Sequence, residues 1–148
     1  MDDQATLLQA QVAVKAEQKK RMIGRVREHT VVMDIPEERG GDNSAPTPAE
    51  YMLQALGGCV LNLTRIIAAD NGLDGEGLSV AVCGGIDIAR AMGLPSRKRA
   101  GFMGIEVTVK APRQRTAGQI DHVFEQLTTR CPLCDTIGNP TVLKVSLV

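Results

Sequence analysis

The sequence predicts an α+β fold: a largely antiparallel sheet of about six strands, a long buried central helix and a second, amphipathic helix. Three observations carry this. Short apolar–polar alternations recur at hairpin spacing. One helical stretch in the middle of the chain is apolar on most of its faces. A later helical stretch is apolar on one face only. The predicted order is three strands, a helix, two strands, a helix and one strand. Sequential hairpins of this kind favour antiparallel pairing. With 148 residues, the chain is expected to form a single domain over 1–148, and 43% hydrophobic content is enough for its core.

The first strand is expected within 6–17, where Leu8, Ala10, Val12 and Val14 face one way and Gln9, Gln11, Lys15 and Glu17 the other. Lys19-Lys20-Arg21 reads as a solvated turn. Residues 22–28 and 29–35 read as the second and third strands, with Val31, Met33 and Ile35 on one face and Pro36 ending the run. The segment 36–46, with Gly40-Gly41-Asp42-Asn43-Ser44, has loop chemistry.

The central helix is marked at both ends. Thr47 suits an N-cap, Pro48 the first helical position, and Glu50 completes a capping box with Thr47. Asn71-Gly72 suits a left-handed C-cap. Between them, Met52, Leu53, Leu56, Val60, Leu61, Leu63, Ile66 and Ile67 surround the helix axis. One sheet cannot cover such a helix on every side, so a second copy of the chain is expected to cover the rest, as an obligate homodimer. Gly57 and Gly58 interrupt this helix just before Cys59, and each glycine costs about 1 kcal/mol against alanine. Either a closely packed neighbour or access to Cys59 must offset that cost.

Beyond Gly72, residues 78–83 read as a strand with Leu78, Val80 and Val82 inward and Cys83 in the core. Residues 89–100, with Arg90, Arg97, Lys98 and Arg99, read as a basic loop. Ile105, Val107 and Val109 alternate with polar residues up to Pro112. Thr116 and Gln119 form a second capping box, and Ile120, Val123, Phe124 and Leu127 make the stripe of the amphipathic helix. Pro132 breaks or restarts that helix. Leu143, Val145 and Leu147 against Lys144 and Ser146 read as a last strand.

Bulk properties exclude several functions. Net charge is zero, and the aromatics are one Tyr and two Phe, so neither a basic field nor a stacking platform for nucleic acid is present. Gln54, Asn62, Thr64 and Arg65 interrupt the apolar helix, which argues against a membrane span. The N-terminus, Met1-Asp2-Asp3-Gln4, lacks signal-peptide character, and a cytoplasmic location is expected. There, four cysteines are expected to be free or reactive rather than structural disulfides.

Two cysteine contexts stand out. Cys59 is either a small core residue or a reactive thiol that the adjacent glycines expose. Cys131-Pro132-Leu133-Cys134 is a CxxC pair, and a helix starting at Pro132 would place Cys131 at its N-cap, where thiol pKa falls. A zinc site is the weakest reading, since only one CxxC exists and His29 and His122 sit elsewhere as surface or edge residues. No cofactor or metal is expected.

Pro48-x-Glu50, Ala55-Leu56-Gly57-Gly58-Cys59, Asp87-Ile88-Ala89-Arg90, Arg99-Ala100-Gly101-Phe102, Arg130-Cys131-Pro132, Asp135-Thr136 and Asn139-Pro140-Thr141 together resemble the OsmC/Ohr family of osmotically inducible and organic-hydroperoxide-resistance proteins. The resemblance spans nearly the whole chain. It implies an intertwined homodimer with active sites at the interface and thiol-dependent reduction of organic hydroperoxides. Carried over, Cys59 is the peroxidatic cysteine and Cys131 the resolving one, recycled by an external dithiol reductant, in some members a lipoylated protein.

Peroxide cleavage needs a thiolate and a nearby cation. Cys59, in mid-helix, gains nothing from a helix N-terminus. The first hairpin offers Arg25, with Arg21 and Arg27 beside it, as that cation. Glu50 is either the catalytic acid or only the helix cap, because the resemblance implies an acid directly after the helix-starting proline, whereas Ala49 follows Pro48 here. Cys134 gives Cys131 a second partner. Two rival functions are a dithiol–disulfide exchange protein using Cys131 and Cys134, and a non-enzymatic dimer binding an apolar ligand in an interface pocket.

Overall fold

The computed structural model describes residues 9–110 and 116–147. Its fold is α+β, with five strands in two antiparallel sheets and three α-helices among the described residues. The chain divides into two compact units, 1–51 and 52–148, and the central helix runs from one into the other.

In the first unit, β1 (Ala13–Ala16), β2 (Met22–Val26) and β3 (His29–Met33) form a three-stranded sheet in that order. The turn at Lys19-Lys20 forms as its charge predicts, with Lys19 in the left-handed region (φ 51°) and its ammonium paired with Asp42. Strand β1 is shorter than the alternation implied, and Val12 and Val14 stand exposed rather than half-buried. The expected part of this strand up to Leu8 lies outside the described residues.

Asp34, almost fully buried, ties the loop after β3 together. Its carboxylate accepts from the N–H groups of Ile35 (2.8 Å), Ser44 (2.9 Å) and Asp42 (3.2 Å) and from the Ser44 hydroxyl (2.7 Å). Hydrogen bonds from Ser44 above all hold the Asp34 pKa down at about 2. Gly41 is required there, because a Cβ would sit 1.8 Å from the Ile35 carbonyl oxygen.

The loop delivers the chain to α1 (Pro48–Asp70), whose capping box forms as expected. The Thr47 N–H donates to Glu50 Oε2 at 2.7 Å, and the Glu50 N–H donates back to Thr47 Oγ1 at 3.3 Å. At the far end, Gly72 is left-handed (φ 68°), its N–H reaches the Ala69 carbonyl, and Leu73 N–H reaches Ala68. That is a Schellman motif, and buried Leu73 supplies its apolar contact.

In the second unit, β4 (Ser79–Ile86) and β5 (Phe102–Lys110) pair along their whole length. Leu56, Val60, Ile67 and Ala68 of α1 pack with Val80, Val82, Ile105, Val107 and Val109 of this ribbon. Val123 and Leu127 of α2 (Ala117–Arg130) join the same core. The Thr116–Gln119 capping box starts α2 as expected, and α3 (Pro132–Gly138) follows directly. The termination expected at Pro112 lies outside the described residues.

Two expectations are corrected, at 143–147 and at Cys83. The predicted strand at 143–147 does not form among the described residues, which leaves five strands in two sheets. Its alternation is real, but a ladder needs a partner edge, and Leu143, Val145 and Leu147 lie open to solvent. Cys83 is exposed, not in the core, because strand parity puts it on the face opposite Val80 and Val82. Within the chain, α1 is buried along one stripe only, and Met52 and Ile66 are exposed.

A three-thiol candidate active site

Gly57 has a packing reason. A Cβ there would meet Val82 Cγ2 at 3.1 Å, so the glycine lets α1 lie close on β4. Gly58 has none: nothing stands within 4 Å of its would-be Cβ. Its position on α1 is open within the chain.

The fold brings together two of the four predicted site residues. The Cys59 and Cys131 sulfurs lie 3.7 Å apart, although 72 positions separate them in sequence, and both are free thiols. Their exposures differ. Cys131 is 1% exposed, whereas Cys59 is half-buried. Cys131 caps α3, as Pro132 at the first helical position predicts, and the Cys134 N–H points at its sulfur at 3.5 Å.

Local electrostatics push the two thiols apart. Burial raises the Cys59 pKa most, the Leu133 N–H lowers it, and the neighbouring Cys131 raises it by hydrogen bonding and by charge. Burial also acts to raise Cys131. The N–H and thiol of Cys134, the Cys59 thiol and the Leu133 N–H outweigh it, so Cys131 sits below the ordinary thiol value. Cys131 is thereby the stronger acid of the pair and Cys59 the weaker. Among the described residues of the second unit, no cation acts on Cys59.

One expectation needs amendment here. Cys59 gains nothing from its own helix, but it does gain the Leu133 N–H at the start of α3. Leu133 has no side-chain chemistry to flag it in sequence. The only available signal was the proline after Cys131, which fixes where the free N–H groups fall.

Glu50 and Arg25 belong to the first unit. Glu50 is occupied in the capping box of α1, where its bonds from the Thr47 N–H and hydroxyl hold its pKa below the usual carboxylate range. Arg25 is exposed on β2, opposite Ala13. Arg21 forms an ion pair with Glu17 at 2.7 Å, and Arg27 is exposed in the left-handed region (φ 51°). No group of three or more metal-ligating side chains occurs among the described residues.

A family model described as OsmC-like protein matches residues 41–146. No curated protein matches the sequence. Solved structures share the fold at low identity. An OsmC-like protein from Mycoplasma pneumoniae superposes with a TM-score of 0.75 at 15% identity, covering 88% of each chain. An organic hydroperoxide resistance protein OsmC from Legionella pneumophila gives 0.65 at 15% identity over 90% of this chain and 91% of that one. An organic hydroperoxide resistance protein from Elizabethkingia anophelis gives 0.62 at 14% identity over 88% of each.

Proposed function

The chain belongs to the OsmC-like protein family, and from that premise we propose that it is a thiol-dependent peroxidase that reduces organic hydroperoxides. The observation that carries the reading is the pair of free thiols 3.7 Å apart, one accessible and one buried. Two relatives in fold bear names of organic hydroperoxide resistance, which is consistent with it.

Cys59 is the thiol that meets peroxide, because it is reachable and Cys131 is not. Its thiolate attacks the outer oxygen of ROOH, the O–O bond breaks, and the alkoxide leaves to be protonated as ROH. The product is a Cys59 sulfenic acid. Cys131, already favoured as thiolate, attacks that sulfur and expels hydroxide. One peroxide and two thiols thus give alcohol, water and a Cys59–Cys131 disulfide. An external dithiol, in a reducing cytoplasm, returns both thiols.

Ionising Cys59 against its burial is the hard step. The Leu133 N–H helps, and a cation close to the sulfur would supply the remaining positive charge. Glu50 serves as helix cap and not as an acid in the reaction. A second copy of the chain covers α1 and accepts the open alternation at 143–147 along a sheet edge. The exposed Met52 and Ile66, and Leu147 at 101% exposure, support that assembly.

A coupled assay with cumene hydroperoxide and a dithiol reductant tests the reading. Turnover by the wild-type protein, lost in Cys59→Ser with the circular dichroism spectrum unchanged, is expected. Wild-type rates in Cys59→Ser would refute it.

A further inference from the structure

The disulfide just described does not use every sulfur in the cluster. Cys134 occupies the third position of α3, and its N–H lies 3.5 Å from Cys131 Sγ. It is half-buried, whereas Cys131 is closed to solvent. We infer that Cys134 is a third redox-active thiol that attacks Cys131 in the oxidised protein, taking over the disulfide and setting Cys59 free. The inference rests on the peroxidase reading above.

The step is an exchange with no net change in electrons. The Cys134 thiolate attacks Cys131 Sγ, the Cys59–Cys131 bond breaks, and Cys59 leaves as a thiolate that takes up the proton Cys134 gave up. Cys131 is the sulfur attacked because it is the one the Cys134 N–H holds at the start of α3. The result is a Cys131–Cys134 disulfide and a reduced Cys59.

The surroundings hold this thiol back more before oxidation than after it. In the reduced protein the Cys134 pKa is pushed up to about 11, first by burial, then by the hydrogen bond to Cys131, then by charge on Cys131 and Cys59. Once Cys131 and Cys59 are joined, neither carries a charge and Cys131 is no longer a thiolate acceptor. Burial alone then remains to raise the Cys134 pKa. The same contact that suppresses Cys134 at rest positions it for attack when its neighbour is oxidised.

A consequence follows for stoichiometry. After the exchange Cys59 can react with a second peroxide, and its sulfenic acid then finds no free thiol in the cluster. Fully reduced protein, freed of reductant, is titrated with cumene hydroperoxide in the presence of dimedone, and its peptides are mapped. The wild-type protein is expected to consume about two peroxides per chain, to contain Cys131–Cys134, and to carry dimedone on Cys59. Cys134→Ser is expected to consume about one, to retain Cys59–Cys131, and to carry no dimedone. Wild-type protein that stops at one peroxide with Cys59–Cys131 intact overturns the inference, as does a Cys59–Cys134 bond. Absence of peroxide consumption in both proteins, with Cys59 reduced, overturns the peroxidase reading on which it stands.

Discussion

Cys59 and Cys131 form one titrating unit, so a change at either is felt at the other. Cys131 raises the Cys59 pKa by hydrogen bond and by charge, while burial and the Leu133 N–H act independently of it. Cys131→Ala is therefore expected to lower the apparent pKa of Cys59, read from the pH profile of its alkylation by iodoacetamide. An unchanged or raised pKa would contradict the coupling. Asp34 offers a second test at this scale. Its folded pKa, about 2, lies below the ordinary carboxylate value of 3.8. The stability it contributes is thus fully present above the ordinary value and is lost as pH falls toward 2. Asp34→Asn is expected to lower the urea midpoint at pH 7 and to flatten its fall between pH 5 and 2.5. An equally steep acid limb in the variant would show that other carboxylates govern it. The cysteines themselves were legible in sequence, from Gly57-Gly58-Cys59 and the proline after Cys131. The 3.7 Å contact was not legible from local pattern, because only tertiary packing joins positions 59 and 131.

The elements with chemical punctuation at their ends were legible. Thr47-Pro48-Glu50, Asn71-Gly72 and Thr116-Gln119 each carry a local hydrogen-bonding solution, and each forms as read. Segments that depend on a distant edge were not: the alternation at 143–147 is intact, yet alternation specifies a face and not a partner. The two glycines of α1 differ in what surrounds them. Gly57→Val would press on Val82, and this overpacking outweighs the small gain in helix propensity, so a net loss of about 1–3 kcal/mol is expected from urea denaturation. Gly58→Ala meets nothing in the chain and is expected to gain about 1 kcal/mol in urea denaturation. A destabilised Gly58→Ala protein would reverse this assignment.

At the scale of the molecule, the second unit leaves apolar side chains open on α1 and at its C-terminal end, and a second copy is the proposed cover. An interface of that kind is expected to bury more than about 2,000 Å² in total. Sedimentation equilibrium should show a dimer at micromolar concentration that dissociates only on unfolding; a stable folded monomer would remove the proposal. The central claim, that Cys59 reduces organic peroxide and Cys131 resolves it, is tested most directly by quenching a brief substoichiometric pulse of cumene hydroperoxide and mapping every cysteine. The account predicts Cys59 oxidised first, joined to Cys131 in the earliest disulfide, with exposed Cys83 still reduced. Formation of Cys131–Cys134 while Cys59 remains a thiol, at an equal rate in Cys59→Ser, would contradict it.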